Sequence, residues 1–551
     1  MRLRRLVALP TFALLASSAW SARASNVLEV PDNGSEQMAR GGAWVARASD
    51  PLATAFNPAG LAGQDTRVTL QSNFIFHHTC FTRLKAANDT TFGSTDTLLD
   101  ATGHYPRVCN DIEPTFNPQL GLTFRVNDRL GLGALVIGPA SAGEKNFPEF
   151  ITDANGEKQA APNRYLLTRS SGIVLFPTVG AGYEVIDGLR LGASLSWGFA
   201  KIKNAAATTA LNTDNATSTN DVRANLQVGD YFIPRFSLGA IWSATPEIDV
   251  AGWYQWTDAV KASGDVGTAA NYYTKQNAQG DESNVRYGDT IFPDCGTGRP
   301  ADEGKCGSGD NAKVKLAWPM EAKLGFRYHK PRSRAEAAEA ASRHKRDPLA
   351  QDVFDVEADF TWANNSAIDA IQIRFPGDAT GRGTLPVAGV DGGEIPPSGD
   401  QIKRYNDVFG VRLGGDYNVV PDTLALRAGT FYETRANAAQ YQHIDYAAGA
   451  RFGLAAGATY RIRIGQGEKA SALEIMVGYG HVFVEKLERE DARADGITAL
   501  SGTSCNKSDP DPSAPDRCLD GSERYRSKWP VNLGTITNAV NVINVGLAYR
   551  F

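Results

Sequence analysis

No stretch of this chain approaches the roughly 20 consecutive apolar residues that a membrane-spanning helix requires, although 42% of its 551 residues are hydrophobic. Cysteine is scarce, and no Cys-x-x-Cys occurs among the six present. Basic charge is not in excess, and no Lys/Arg cluster interleaved with aromatics appears, which argues against nucleic acid as a partner. The seven histidines are scattered, and adjacent His77 and His78 would point to opposite faces of a strand, so they cannot chelate a metal together. No Ser-His-Asp arrangement can be placed. Gly131-Leu-Gly133 has no βαβ context, so it is not a dinucleotide loop. Metal, cofactor and enzymatic readings therefore have nothing to stand on, and none is expected.

What is present starts at the two ends. Arg2, Arg4 and Arg5 precede a short apolar run, Leu6 to Ala16, and Ala22-Arg23-Ala24 offers small residues for cleavage. The pattern predicts a secretory signal peptide over 1–24. Removing Arg2, Arg4, Arg5 and Arg23 from the 56 basic residues leaves 52 against 61 acidic ones, a mature net charge of −9. At the other end, Ile543, Val545, Leu547, Tyr549 and Phe551 alternate with Val542, Asn544, Gly546, Ala548 and Arg550. A soluble protein rarely stops on such a strand, whose edge would be sticky. A barrel closes its last strand on its first, and stops there naturally.

The same period-two alternation recurs from about Thr66 onward, in segments long enough for tilted membrane strands. Strands are predicted near 66–77, 116–127, 129–138, 172–186, 188–203, 231–244, 247–263, 312–329, 351–365, 404–419, 421–434, 447–463, 471–487 and 534–551. That is an all-β fold, a 14-stranded antiparallel transmembrane β-barrel. Tight turns such as Val126-Asn-Asp-Arg129 and Ile186-Asp-Gly188 alternate with long polar loops, as short periplasmic turns and long extracellular loops do. Lys330 to Ala350 breaks this rule. It is a long charged turn, read as solvated, with docking on headgroups or on a periplasmic partner as the alternative. The cysteines fall as local pairs, Cys80 with Cys109, Cys295 with Cys306 and Cys505 with Cys518, each inside one long loop. In an exported chain disulfides are the default over zinc.

In the eighth segment, Val314, Leu316, Trp318, Met320, Ala322, Leu324, Phe326 and Tyr328 read as the lipid face. Lys313, Lys315, Lys323 and Arg327 then point into the lumen. With Arg412 and Arg451 they are candidate partners for a ligand carboxylate. Pairing with Glu321, Asp355, Glu357, Asp359 and Asp416 is the structural alternative.

Residues 25–65 carry no strand pattern. Asp50 can cap a short helix with Pro51 at its first position, and Asn57 before Pro58 should end it. The run Ala39-Arg-Gly-Gly-Ala-Trp-Val-Ala-Arg-Ala-Ser-Asp50, leading to Phe56-Asn-Pro-Ala-Gly-Leu-Ala62, resembles the N-terminal hatch signature of the FadL-type family. Gly172-Ile-Val-Leu-Phe-Pro-Thr-Val-Gly-Ala-Gly-Tyr183, Val356-Glu-Ala-Asp-Phe-Thr-Trp362 and Asp407-Val-Phe-Gly-Val-Arg-Leu-Gly-Gly-Asp-Tyr417 echo it further along.

The resemblance implies an outer-membrane transporter for passive uptake of long-chain fatty acids or similar apolar molecules. Residues 25–65 would be a plug inside a 66–551 barrel, gated by Asn57, Pro58, Ala59 and Gly60. A kink in the third strand at Gly131, Gly133, Gly138 and Pro139 would give a lateral exit. The implied partners are a hydrophobic small molecule, outer-membrane lipid, and the barrel-assembly machinery through the strand ending at Phe551. A general porin for small polar solutes and a surface adhesion or recognition protein are the alternatives.

Overall fold

A computed structural model describes Leu28 and, from Asp32, most of the chain to Phe551. The main stretches outside the description are 90–97, 210–220, 274–285, 288–311, and large parts of 375–393 and 492–529. Fourteen antiparallel strands close into a barrel. In order they are β1 (Arg67–Arg83), β2 (Thr115–Arg125), β3 (Leu130–Ile137), β4 (Arg169–Ile186), β5 (Leu189–Thr209) and β6 (Asp221–Thr245). β7 runs in two stretches, Ile248–Thr257 and Val260–Ala270, as do β8 (Ala312–Leu316 and Glu321–Pro331) and β9 (Asp352–Ala363 and Ala370–Arg374). β10 (Val408–Val420), β11 (Leu424–Glu433), β12 (Arg451–Ile464), β13 (Ser471–Val484) and β14 (Gly534–Arg550) complete the wall.

The terminal strand closes the ring as its pattern demands. β1 and β14 pair continuously from Arg67↔Arg550 to Arg83↔Gly534, so neither chain end leaves a free edge. Ile543, Val545 and Leu547 stand exposed on the outside, while Val542 and Asn544 are buried inside. Exposed Leu120, Leu122, Phe124, Leu191, Leu195, Leu324 and Phe326 continue the apolar outer surface around the barrel.

Three sequence expectations change. β1 runs to Arg83, past its predicted end near 77, so Cys80 lies on the strand and not in the loop. β5 and β6 run far beyond their predicted ends, so much of the polar stretch 204–230 is ladder, paired from Asp230↔Ala200 to Asp221↔Thr209. Alternation there was masked by alanine and asparagine, which carry no lipid-facing signature.

β8 also reverses its faces midway. Val314, Leu316 and Trp318 point inward and are buried, whereas Lys313 and Lys315 are exposed. Below the break at Ala317–Met320, Gly325 and Arg327 point inward and Leu324 and Phe326 outward. Pro319 has no N–H to give a ladder, and the residues spent on the bend shift the alternation by one, which moves every side chain to the other face. Lys313 and Lys315 are therefore not lumenal.

The Cys80–Cys109 disulfide forms, at the point where Cys80 and Phe81 pair with Cys109 and Val108. The expected Cys295–Cys306 and Cys505–Cys518 bonds involve residues outside the described ones.

Candidate functional site

Residues 32–65 fill the barrel as a compact plug built from α1 (Ser35–Ala39), α2 (Ala53–Phe56) and a 3-10 turn, Pro58–Leu61. A plug this short cannot form a core of its own. It borrows one from the wall: Trp44, Val45, Leu52, Phe56 and Leu61 are buried with Trp253 and Phe176 in a single apolar cluster. Trp253 donates its indole N–H to the Ala55 carbonyl at 2.9 Å.

Charge fixes the plug on the opposite side. The β9 ladder Asp355, Glu357 and Asp359 spends its acceptors on the plug. The Arg40 guanidinium reaches Asp355 and Asp416 at 2.7 Å and Glu357 at 3.3 Å, all fully buried. The backbone N–H groups of Trp44 and Val45 donate to Asp359 at 2.8 and 3.1 Å, and those of Ala46 and Arg47 to Glu357 at 2.6 and 3.2 Å. Arg47 also pairs with Asp416 at 3.0 Å. Such a network costs desolvation and repays it only when every group is satisfied. It fixes one position of the plug rather than stabilising by greasy contact alone.

The Asn57-Pro58-Ala59-Gly60 turn is completely buried. Asn57 donates from Nδ2 to the Val45 carbonyl at 2.7 Å and to Ala240 of β6 at 3.4 Å, and its Oδ1 accepts the Ala59 N–H at 3.3 Å. The turn lies directly on wall glycines. A Cβ at Gly239 would stand 2.0 Å from Asn57 Oδ1, and one at Gly192 would stand 2.2 Å from Ala59 N. No other residue type lets the backbone come so close.

Gly131 and Gly133 belong to the same seat. A Cβ there would meet Leu61 O at 2.0 Å and Thr54 Oγ1 at 2.2 Å. The β3 ladder runs through both without a register shift, from Arg125↔Gly131 to Leu120↔Val136 on one side and from Leu130↔Tyr183 to Ile137↔Phe176 on the other. It stops at Ile137. Among the described residues, Thr115–Gln119 of β2 pair with β1 but have no ladder partner on the β3 side. Past Ile137 the pairing with β4 is interrupted and resumes at Lys145–Asn146, opposite Ser170 and Arg169. Gly138 O accepts from Asn33 of the plug at 3.3 Å and from Asn117 at 3.4 Å, and Pro139 lines an internal cavity.

That cavity, about 1410 Å³ with its mouth included, lies above the plug within the loop-bearing half of the barrel. Its wall is Val174, Ile202, Leu226, Val228, Val260, Val266, Val314, Leu316, Trp318, Ile371 and Ile373, and Leu28 from the N-terminal segment reaches into it. The Phe176 ring meets Trp318 edge-on at 5.4 Å, and the Arg235 guanidinium lies 3.7 Å from the Phe176 centroid.

One end of the cavity is polar, where Lys145, Asp445 and Tyr446 meet. Lys145 donates to the Asp445 carbonyl. Burial pulls its ammonium down to about 8, with Asp445 opposing the shift. Burial would raise the Asp445 carboxyl, but His443 and Lys403 outweigh it and hold the group well below the usual range.

None of the six cations expected from sequence lines this cavity. Arg327 is held by Asp249, Asp352 and Asp355, and Arg412 by Asp32 and Glu433. Arg451 pairs with Glu433 at 2.8 Å, and Lys323 stands 5.6 Å from the Phe56 ring and 5.3 Å from Trp253. Lys145 was missed because it falls in the polar stretch 139–171 read as a loop; it stands on a two-residue strand, Lys145–Asn146, paired with Ser170 and Arg169 of β4 and too short to show alternation.

The long turn at 330–350 is not simply solvated. Its second half folds under the plug, where Arg346 donates from its backbone to Gly63 O and from its guanidinium to Ala46 O, both at 2.9 Å. Asp347 meets Arg461 and Arg550 at 2.9 Å, and Asn418 donates to Pro348 O at 2.8 Å. The segment ties plug to wall across the short-turn rim.

The comparisons agree with this architecture. Residues 13–509 match the family described as outer membrane protein transport protein (OMPP1/FadL/TodX). A Pseudomonas aeruginosa FadL homologue superposes with a TM-score of 0.60 at 16% identity, over 95% of this chain and 99% of that one. The P. putida toluene transporter TodX gives 0.53 at 13% identity, over 96% and 99%. The Ralstonia pickettii toluene transporter TbuX gives 0.50 at 13%, over the same shares. No curated protein matches the chain. At these identities the solved structures speak for the fold alone, and the family rests on the match over most of the sequence. The chain belongs to the OMPP1/FadL/TodX family of outer membrane transport proteins.

Proposed function

We propose that this chain carries apolar small molecules passively across the outer membrane, taking them up in the cavity above the plug. The observation that carries this reading is the pairing of an apolar cavity with a plug that fills the barrel beneath it. An open porin for polar solutes would have no use for either. Each methylene that enters such a cavity gains about 0.8 kcal/mol, so capture needs no energy source. Lys145 at the polar end suits a carboxylate, which favours fatty-acid-like ligands over plain hydrocarbons.

Onward movement requires the Asn57–Gly60 turn to leave its glycine seat. The exit is lateral, through the seam where β3 stops at Ile137 and β2 loses its partner. Two observations support a sideways route: Pro139 and Ser171–Gly172 of β4 line the cavity beside that seam, and the segment around Arg346 lies across the opposite, periplasmic route. The test compares uptake of radiolabelled oleate and toluene by cells with and without the chain, alongside swelling of liposomes in sugars. Uptake of the apolar compounds without sugar permeation supports the reading. Rapid sugar permeation with no gain in apolar uptake overturns it.

A further inference from the structure

The face reversal in β8 has a second result, on the outside of the barrel. The upper strands present their apolar residues to the cavity, and the alternate positions carry basic residues outward. On β5, Ile202 and Asn204 line the cavity, so Lys201 and Lys203 face out and are exposed. On β7, Val260 lines it and Lys261 is exposed. On β8, Val314 and Leu316 line it and Lys313 and Lys315 are exposed. On β9, Ile371 and Ile373 line it and Arg374 takes an alternate position.

The ladders bring these residues together. Lys201 opposes Gly229, Gly229 opposes Ser263, Ser263 opposes Lys313, and Lys313 opposes Arg374, so one row crosses five strands. One position nearer the membrane on β7 is Lys261, directly opposite Lys315. Like charges set directly opposite one another on a sheet destabilise it. Carboxylates offset part of this: Asp258 pairs with Lys261 at 2.7 Å, Asp400 pairs with Arg374, and Asp230 and Asp265 stand nearby on β6 and β7. No carboxylate is within ion-pair distance of Lys201, Lys313 or Lys315 among the described residues.

The height of the row on the barrel identifies what it faces. Trp197, two outward positions below Lys201, is exposed together with Tyr231 and Phe232. Its indole donates to Tyr231 O at 2.7 Å, and its ring meets Phe232 edge-on at 5.2 Å. Exposed aromatics of this kind mark the headgroup level of a membrane barrel. The lysines therefore stand just above that level, on the loop-bearing rim and on the outer surface. We propose that this basic row binds the phosphate groups of the anionic glycolipid in the outer leaflet. Clustered Lys and Arg beside a headgroup region recognise anionic lipid in this way. The inference rests on the outer-membrane placement of the barrel and is independent of what the barrel transports.

The test measures lipid bound to the full-length purified protein by native mass spectrometry, after extraction in mild detergent and titration with lipopolysaccharide. The variants are Lys201→Gln/Lys313→Gln/Lys315→Gln, the same three positions changed to Arg, and Lys330→Gln on the opposite rim. Heat-modifiable migration checks that each barrel has closed. The proposal expects the Gln triple to lose at least about tenfold in retained lipopolysaccharide, with the Arg triple and Lys330→Gln unchanged. Equal retention by the Gln triple overturns it, as does an equal loss in Lys330→Gln. If the Gln triple does not close, the wild-type protein decides. At least about tenfold weaker binding of chemically dephosphorylated lipopolysaccharide supports the proposal, and equal binding overturns it. Displacement of the lipid by millimolar inorganic phosphate would make the row a free-anion site and would also overturn it.

Discussion

Replacing Gly239 with alanine should unseat the plug without harming the barrel. The added methyl would lie 2.0 Å from Asn57 Oδ1, far inside contact, and 3.1 Å from Pro58 Cδ, a few tenths of an ångström too close. Asn57 is fully buried and held by its bonds to Val45 and Ala59, so its amide cannot swing aside. The methyl strains the seated turn by about 1–3 kcal/mol of overpacking, whereas the hydrogen bonds forfeited on lifting are the same in wild type and variant. A bias of about 1–3 kcal/mol against the seated plug corresponds to roughly 5- to 150-fold in its equilibrium. The barrel ladder at Gly239 pairs Leu191–Gly192 and Trp253–Tyr254 through the backbone and is untouched by a methyl. The assay is uptake of a radiolabelled apolar compound together with limited proteolysis of residues 32–65 from the periplasmic side. Faster uptake and faster plug cleavage in a heat-modifiable barrel are expected. Wild-type uptake and wild-type plug protection in G239A would refute the idea that this glycine seat holds the gate.

Further outcomes follow from the same contacts. Arg40→Met leaves Asp355, Asp416 and Glu357 partly uncompensated in a buried site, a loss of about 3–5 kcal/mol. The plug should become protease-sensitive while the barrel still shows heat-modifiable migration, and undiminished protection would contradict the anchoring role. Lys145→Met should weaken binding of a long-chain carboxylate at pH 7 by about tenfold, since a hydrogen bond to a charged group contributes about 1.5–3 kcal/mol. Binding of a neutral hydrocarbon of similar length should not change.

The wild-type protein should show a matching pH effect. With its ammonium pulled down to about 8, Lys145 is charged below that value and neutral above it. Carboxylate affinity should therefore fall as pH rises from 7 to 9. Near the same end, His443 is lowered by burial and stays neutral across that window, so it adds no opposing slope. Isothermal titration with oleate and with an alkane separates the two behaviours.

Much of this was legible because a membrane barrel writes its wall in the chain. Outward positions must be apolar at every second residue, so the strand count and the closure of the last strand on the one that begins near Val68 could be read from alternation. The Asn57-Pro58 turn was legible as a compact knot because Pro58 ends a helix and Asn57 can bond its own backbone.

What escaped was set by three-dimensional proximity. The glycine seat is spread over β3, β5 and β6, and each glycine reads in isolation only as a weak strand residue. The cation at the cavity stands on a two-residue strand inside a polar stretch, too short for any pattern to tell inside from outside. The reversal in β8 hinged on Pro319, one residue inside an otherwise regular run, and it moved Lys313 and Lys315 from the lumen to the outer surface. The acid ladder Asp355, Glu357 and Asp359 was visible as a charged face, but its partners are Arg40, Arg47 and backbone N–H groups of the plug, far away in sequence, which no strand pattern announces.

The central claim is that a ligand passes only when the plug leaves its seat, and a reversible tether tests it most directly. Thr54 Cγ2 stands 3.2 Å from the Cβ position at Gly180 on β4, so Thr54→Cys/Gly180→Cys places a sulfur close to disulfide reach. Uptake of labelled oleate by the oxidised double variant should fall to the level of cells lacking the chain. It should return on mild reduction, with each single variant and the wild type indifferent to reductant. Wild-type uptake through the oxidised, tethered plug would contradict the account.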